Sequence, residues 1–440
     1  MHMTRRGLML GSGTGLLLAG CGSRTSRTPV AEWPTEVPTE PTTITWWSAA
    51  INAADGGDLR GRMVEAFQQR YPNITVQLVR APQDTNTNRA SLTTQIAAGS
   101  PSPDVYLGDV AWPGQFAHNK LAVPLDTLVA ADVWDSFDEG LRTAARYDGS
   151  YYMLPVYIDE SFLFYRQDLL AKHGLAVPAS WEEVAQTSKV LIDAGDVDSG
   201  FIYQGSVYEG LTCSIVEFVA DAGGQVVGPD ATSAAIDSSE GRRALEFLAD
   251  LVGTGVTPRA ALTYIEQSSM DAFASGRAAF LRNWSYALDT ANAPDVSAVA
   301  GKVGAVVRPG FDGLPGGNST IGGWGNYLNP HTENPAAALA FAAFCAGEEG
   351  QQLLVTEGAV IPARTASLTS PEAEQTDRAI YDVAKGVTLQ PRPTATPYYP
   401  NVSESIYTQA NAVIAGQRDV ADGTASMASG IDDALAGEAL

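Results

Sequence analysis

The chain has 440 residues, 45% of them hydrophobic, and sets 27 Lys plus Arg against 50 Asp plus Glu for a formal net charge of −23. That length suits two ordinary domains with full cores, and the charge repels nucleic-acid phosphates and anionic lipid surfaces, so a neutral or cationic small partner fits better. The four histidines, His2, His118, His173 and His331, stand singly with no metal-ligand spacing, so neither a metal nor another cofactor is expected.

Arg5 and Arg6 precede an apolar run over residues 8–19 that ends in Leu18-Ala19-Gly20-Cys21. A charged start, a short greasy stretch and small residues before a cysteine form a bacterial lipoprotein signal: residues 1–20 are removed and Cys21 is lipidated as the first mature residue. The run is too short to span a bilayer as a helix. Residues 4–8 also resemble a twin-arginine signal, so export by the Sec or the twin-arginine route fits, and the product is anchored on the extracytoplasmic face of the cell membrane. Residues 21–43, rich in Pro, Thr, Ser and Glu, are expected to form an extended, disordered tether of roughly 3 Å per residue.

Beyond the tether, strand and helix patterns alternate. A strand at residues 44–47 precedes a helix carrying Leu59, Met63, Phe67 and Tyr71 at four-residue spacing. A strand at 74–79, a helix at 88–98 and a strand at 104–107 follow. This alternation predicts α/β architecture with a parallel sheet, whose ligands meet the loops at the carboxyl ends of strands, where Asp109 and Trp112 lie. A second series begins after residue 157. Ser180 and Glu183 form a capping box opening a helix to residue 194. A strand at 200–204, helices at 208–222 and 240–252, and a strand at 278–281 come next, and Asn334-Pro335 is expected to cap an alanine-rich helix. Cys213 and Cys345 sit in apolar helical patterns, so burial of both thiols is favoured over a disulfide.

Nucleophile elbows, phosphate loops, zinc helices and calcium loops are absent from the sequence. What stands out is aromatic residues beside acids, amides or glycines at strand ends: Asp109 with Trp112, Tyr157 with Asp159, Asn283 with Trp284 and Tyr286, and Gly323 with Trp324. A pyranose presents apolar C–H faces to flat rings and hydroxyls to carboxylates and arginine, so these residues outline a sugar cleft.

The stretches Pro103-Asp-Val-Tyr-Leu-Gly-Asp-Val-Ala-Trp112, Leu154-Pro-Val-Tyr-Ile-Asp159, Tyr208-Glu-Gly-Leu-Thr-Cys213, Arg282-Asn-Trp284, Gly322-Gly-Trp324, Pro391-Arg-Pro393 and Pro397-Tyr-Tyr-Pro400 lie in the order and spacing of a known family. The chain resembles the carbohydrate-binding lipoproteins of ABC importers, and within them the trehalose/maltose-binding branch. The resemblance implies a two-lobed fold of the periplasmic-binding-protein type, with a hinge and an interlobe cleft. Residues 44–157 and 326–370 would form the first lobe and 158–325 and 371–440 the second, with a third crossing near Ser370. It implies a monomer that binds a disaccharide, trehalose before maltose or a related small glucoside, and hands it to the transmembrane subunits of a permease without chemistry. It assigns hydroxyl contacts to Asp109, Tyr157, Asp159 and Arg392 and stacking to Trp284, Tyr286 and Trp324, with Gly323 beside them and Glu209 as a weaker member. Asn52 and Asp55 stand where the branch has an Asn-Glu pair, and Arg89 where it tends to have two arginines. Two other readings are open: a lipid-anchored glycoside hydrolase using Asp109 with Asp159 or Glu209 as acid and base, and an adhesin-like module with a shallow groove.

Overall fold

The computed structural model describes residues 33–376 and 378–437, so the signal segment and Cys21 lie outside the described residues. The expected tether ends earlier than predicted. Trp33 is 6% exposed and belongs to the continuous hydrophobic core, and Thr42 already opens a strand, because a buried indole holds this stretch against the body.

The first lobe is built on strands β1 (Thr42–Ser48), β2 (Ile74–Arg80) and β3 (Val105–Asp109), followed by a short hairpin of β4 (Arg146–Tyr147) and β5 (Ser150–Tyr151), and then β6 (Leu154–Asp159). The second lobe begins with β7 (Ser161–Arg166), β8 (Ser199–Ile202), β9 (Ala278–Trp284), β10 (Val303–Val306) and β11 (Asn318–Thr320). The chain then returns through β12 (Gly322–Leu328) and β13 (Ile361–Pro362) before β14 (Thr388–Gln390) pairs with β11. The large sheet has the order β13-β6-β12-β3-β1-β2 and the smaller one β10-β7-β9-β8.

Neither sheet is wholly parallel, which corrects the expectation from the alternating pattern. β1 runs parallel to β2 and β3, but β12 is antiparallel to both β3 and β6, and β7 is antiparallel to both its neighbours. The reason is topological. β6 leaves the first sheet toward the second and β12 comes back the other way, so paired side by side they must oppose each other.

The strand pairing also moves the expected lobe boundaries. β6 remains in the first sheet through Asp159 and β7 joins the second at Ser161, so the first switch is at Glu160 rather than between 157 and 158. The second is at Ile321 rather than between 325 and 326. A third passage runs between β13 and β14 through the short helices Pro371–Thr376 and Ala379–Ala384, and the helices Tyr399–Ile414 and Val420–Leu435 pack on Glu209–Asp221 and Ser239–Gly253.

Local chemistry sets the elements. On β1, Ile44 and Trp46 alternate inward at 0% exposure, and Trp46 meets Phe341 edge-on at 5.0 Å. Phe341 belongs to the alanine-rich helix Pro335–Ala346, whose small side chains let it bury nearly all round. Asn334 and Pro335 open that helix as expected, with the Asn334 carbonyl accepting from the Ala338 amide at 3.0 Å, but the Asn334 side chain makes no cap bond and its amide nitrogen points toward Asp104 and the carbonyl of Thr43. Ser180 Oγ accepts from the Glu183 amide at 3.2 Å, while the Glu183 carboxylate accepts from Ala179 one residue before the cap. The helix expected at 88–98 starts three residues earlier, at Thr85, because the Asp84 carboxylate accepts from Thr87 at 2.7 Å. Cys213 and Cys345 are buried free thiols in different lobes.

Beneath the crossings lies a fully buried ion network. Glu217 Oε1 accepts from Ser161 Oγ at 2.8 Å, Thr320 Oγ1 at 2.8 Å and Arg282 Nη2 at 2.5 Å, and its Oε2 accepts from Arg282 Nε at 2.8 Å. Arg308 continues the chain, 3.1 Å from Glu217 and 2.5 Å from Asp221. Burial alone would raise the Glu217 carboxyl, but the Arg282 and Arg308 charges bring it down to about 2. Replacing Glu217 by Gln leaves the buried Arg282 without a charged partner and Arg308 with Asp221 alone, and is expected to cost about 3–5 kcal/mol in denaturant unfolding; a loss below about 1 kcal/mol would show that the network does not hold the crossings.

Candidate functional site

The register of the first sheet assembles one wall of a cleft. Trp324 on β12 lies directly between Asp109 on β3 and Tyr157 on β6, so three side chains from three strands stand in one row. Asp159, two residues beyond Tyr157, shares that face. The glycines opposite make the close approach possible. A Cβ on Gly322 would lie 2.8 Å from the Asp159 carbonyl oxygen, and one on Gly323, whose φ is +133°, only 2.5 Å from that of Tyr157. With no side chains there, the two crossing backbones touch and Trp324 turns to the cleft.

The second lobe faces this row with Trp284, the last residue of β9, and Tyr286 in the turn after it. Arg282 places its guanidinium 4.1 Å from the Trp284 ring centre, so a cation supports one indole face while Glu217 neutralises it from below. Glu209 and Glu266 each open a helix, where the free amides and helix dipole favour a carboxylate. Glu266 is the functional candidate that sequence reading missed. It sits among ordinary turn residues, and only the fold brings it to the Trp284 indole nitrogen, 3.4 Å away.

Arg392 joins the two walls. It donates to Asp109 at 2.6 Å on the first lobe and to Glu209 at 2.8 Å on the second, while Ser403 Oγ, 2.6 Å away, and the Tyr399 hydroxyl also donate to Glu209. Asp109 Oδ1 also accepts from the Ala111 amide at 2.7 Å. Two of the four groups expected to meet a ligand's hydroxyls, Asp109 and Arg392, are therefore bonded to each other here.

The cavity these residues enclose holds about 110 Å³ and is lined by Asn52, Asp109, Tyr157, Asp159, Glu209, Trp284, Tyr286, Gly323, Trp324 and Arg392 from the predicted set, together with Gln83, Thr85, Glu266 and Gln267. A wider interlobe groove of about 850 Å³ lies beyond Arg392, which is the only predicted residue lining it.

Three predicted residues fall outside the cavity. Asp55 points away, its carboxylate held by Arg62 and the Gly57 amide in an exposed turn. Arg89 donates to Gln115 at 3.1 Å and faces a side crevice with Tyr399 and Ser403. Trp112 is 3% exposed and stacked on Phe116 at 5.3 Å; its edge-on contact with Trp324 at 5.9 Å makes it a support beneath that half-buried indole.

Burial raises Asp159 to about 7, against the bond from Ser285 Oγ at 2.8 Å, which lowers it, and the neighbouring Glu266 and Asp109 charges add to the rise. Burial also raises Glu266. Among the described residues, no group of three His, Cys, Asp or Glu is placed to hold a metal ion, and no helix is long and apolar enough to cross a membrane.

Two α/β lobes that exchange strands and enclose a cleft of carboxylates and aromatic rings define a two-lobed ligand-binding protein. Residues 50–352 match the family model for bacterial extracellular solute-binding proteins, and the chain belongs to that family. A probable ABC transporter-binding protein of Deinococcus radiodurans is 30% identical over 327 residues, covering 72% of this chain and 76% of the relative. The maltose-bound MalE3 structure of T. maritima matches with a TM-score of 0.81 at 28% identity, covering 89% of this chain and 99% of that one. The GacH receptor of Streptomyces glaucescens, solved unliganded and with acarbose, shares the fold at 22% identity and a TM-score of 0.78, covering 90% of this chain and 98% of that one.

Asp159 yields a pH test. Its folded value of about 7 lies above the ordinary 3.8, so between those limits the folded protein holds a proton that the unfolded chain has released. The stability this group contributes is present at acid pH and lost as pH rises through about 7. Asp159→Asn is therefore expected to raise the melting temperature more at about pH 8 than at about pH 5, and equal shifts at both would contradict the assignment.

Proposed function

We propose that this protein is the substrate-binding lipoprotein of an ABC importer. Tethered through Cys21 outside the cell membrane, it closes on a disaccharide by hinge motion and presents the closed form to the transmembrane subunits of a permease. The observation that carries this is the pairing of walls: Trp324 from one lobe and Trp284 from the other face a single cleft whose charged groups are four carboxylates and one arginine, with amides and hydroxyls between them. Flat rings take the C–H faces of a pyranose and carboxylates take its hydroxyls. The sugar-binding proteins named among the structural matches support this choice of ligand.

The cleft is smaller than the roughly 300–1,000 Å³ of ordinary small-molecule pockets. Admission of a disaccharide therefore requires the lobes to part, and parting releases Arg392 from either Asp109 or Glu209. A ligand shifts the balance between open and closed forms only by the difference in its affinity for them, so contacts to both lobes are what make closure respond to sugar. Trehalose leads, then maltose or a related small glucoside. The protein acts as a monomer and returns its ligand unchanged.

Calorimetry with trehalose and maltose tests this. Trp284→Ala is expected to weaken binding by about fivefold to tenfold, on the order of 1 kcal/mol of stacking. Asp109→Asn is expected to cost more, about 1.5–3 kcal/mol, because it removes a charged acceptor and leaves Arg392 short of a partner. A disaccharide panel that leaves the melting temperature unmoved overturns the reading, and release of monosaccharide during incubation would assign hydrolysis instead.

A further inference from the structure

The first crossing strand has two faces, and the sugar cleft uses only one. Tyr157 and Asp159 point into the cleft, so Ile158 and Glu160 point to the opposite side. There they line a separate cavity of about 470 Å³ that shares no residue with the cleft. Its apolar wall comes from Ile361, Pro362 and Leu368 of the first lobe's last segment and from Ala373 and Ala384 of the third passage.

Glu160 is the exceptional group in it. The residue is 9% exposed, and its Oε2 is fully buried with no hydrogen-bond partner among the described residues. The other buried acids around the crossings, Asp109, Asp159, Glu209, Glu217 and Asp221, all accept hydrogen bonds. The Tyr381 hydroxyl, lining the same cavity, is also buried without a partner. A buried carboxylate without a partner carries a full desolvation cost, and a cation entering the cavity that Glu160 lines offsets it by charge even though Oε2 itself is closed to the cavity.

The surrounding charges say what that something is. Besides Glu160 the cavity is lined by the acids Asp138, Glu374 and Asp382 and by the cations Arg378 and Lys385. Lys385 is taken by Asp382 at 2.5 Å, and Arg378 pairs with Asp289 at 3.3 Å. Asp138 caps a helix through the Gly140 amide. Among the described residues no cation pairs with Glu160, and the balance of the lining is acidic. A metal ion is excluded by the donor set, since no three ligating groups converge there among the described residues.

We propose that the cavity behind the crossing strand is a second ligand site, which takes a small organic ammonium ion: the ammonium group on Glu160, the apolar body against Ile361, Pro362 and Leu368. This site does not rest on the sugar reading. Burial holds the Glu160 carboxyl up at about 8, and the neighbouring Asp138 and Asp159 charges add to the rise, so the cation displaces a proton when it binds below that pH. Affinity then rises with pH, by up to about tenfold per unit, until Glu160 is ionised in the free protein.

The probe is benzylamine, titrated calorimetrically into the sugar-free chain at about pH 6, 7 and 8, with benzyl alcohol as the neutral control. Benzylamine is expected to bind, at least about tenfold more tightly than the alcohol, and more tightly as pH rises. Glu160→Gln is expected to abolish the preference for the amine, while its melting temperature at about pH 8 matches or exceeds that of the parent, because the substitution removes an unfavourably buried charge. Ala384→Trp, which fills the cavity from the opposite wall, is expected to abolish binding independently. Failure of benzylamine to bind overturns the site, as does equal binding of the alcohol. Loss of binding in Glu266→Gln with retention in Glu160→Gln would place the amine in the sugar cleft and overturn it too.

Discussion

Both strands that pass between the lobes are fastened by one buried carboxylate. Glu217 accepts from Ser161, the first residue past one crossing, and from Thr320, the last before the other. It also holds Arg282, whose guanidinium lies against the Trp284 ring. The crossings and the second lobe's aromatic platform are therefore positioned from a single point. Such a network stabilises less than its bond count suggests, since four charges have left water, but breaking one member leaves the others uncompensated. The network ties together the base of the second lobe, while the single residues Glu160 and Ile321 are where the two crossing strands change sheets.

Above this base the cleft is governed by competition for Arg392. One guanidinium satisfies an acid from each lobe, which favours the closed arrangement, and a ligand entering the cleft must offer those acids equivalent donors. Sugar hydroxyls can do so, and they add ring stacking that Arg392 cannot supply. On the proposed hinge closure, ligand and arginine would draw on the same two carboxylates, so the difference between the two, rather than the sum of contacts, would set how strongly a sugar shifts the balance.

Much of this was legible in the chain. Apolar periodicity located β1, β2 and the helices that carry Phe67 and Leu245, because burial on one face imposes a 2- or 3.6-residue spacing whatever the tertiary fold, and the Asn-Pro start and alanine richness located the one that carries Phe341. Aromatic residues beside acids at strand ends marked Asp109, Tyr157, Asp159 and Trp284. Glu266 was not legible, since a helix-opening glutamate has an ordinary local reason to exist and its partner Trp284 lies 18 positions away. Trp112 and Asp55 misled for the converse reason. Each has the right chemistry and neighbourhood, but one is needed under Trp324 and the other is captured by Arg62.

Strand direction and the exchange points belong to the same limit. Alternating strand and helix patterns say that a layered α/β body forms, but antiparallel pairing of β12 with β3 joins residues more than two hundred positions apart, and no local spacing encodes which strand is a neighbour. The sequence by itself determined the element types and most of the cleft's chemistry, because these follow from side-chain type and short-range period, while the two-lobed class came from the resemblance its motifs carry. Only the tertiary structure decided that Arg392 spans the lobes, that Glu217 ties the crossings and that Glu160 faces a cavity of its own, because each depends on which distant segments share a buried space.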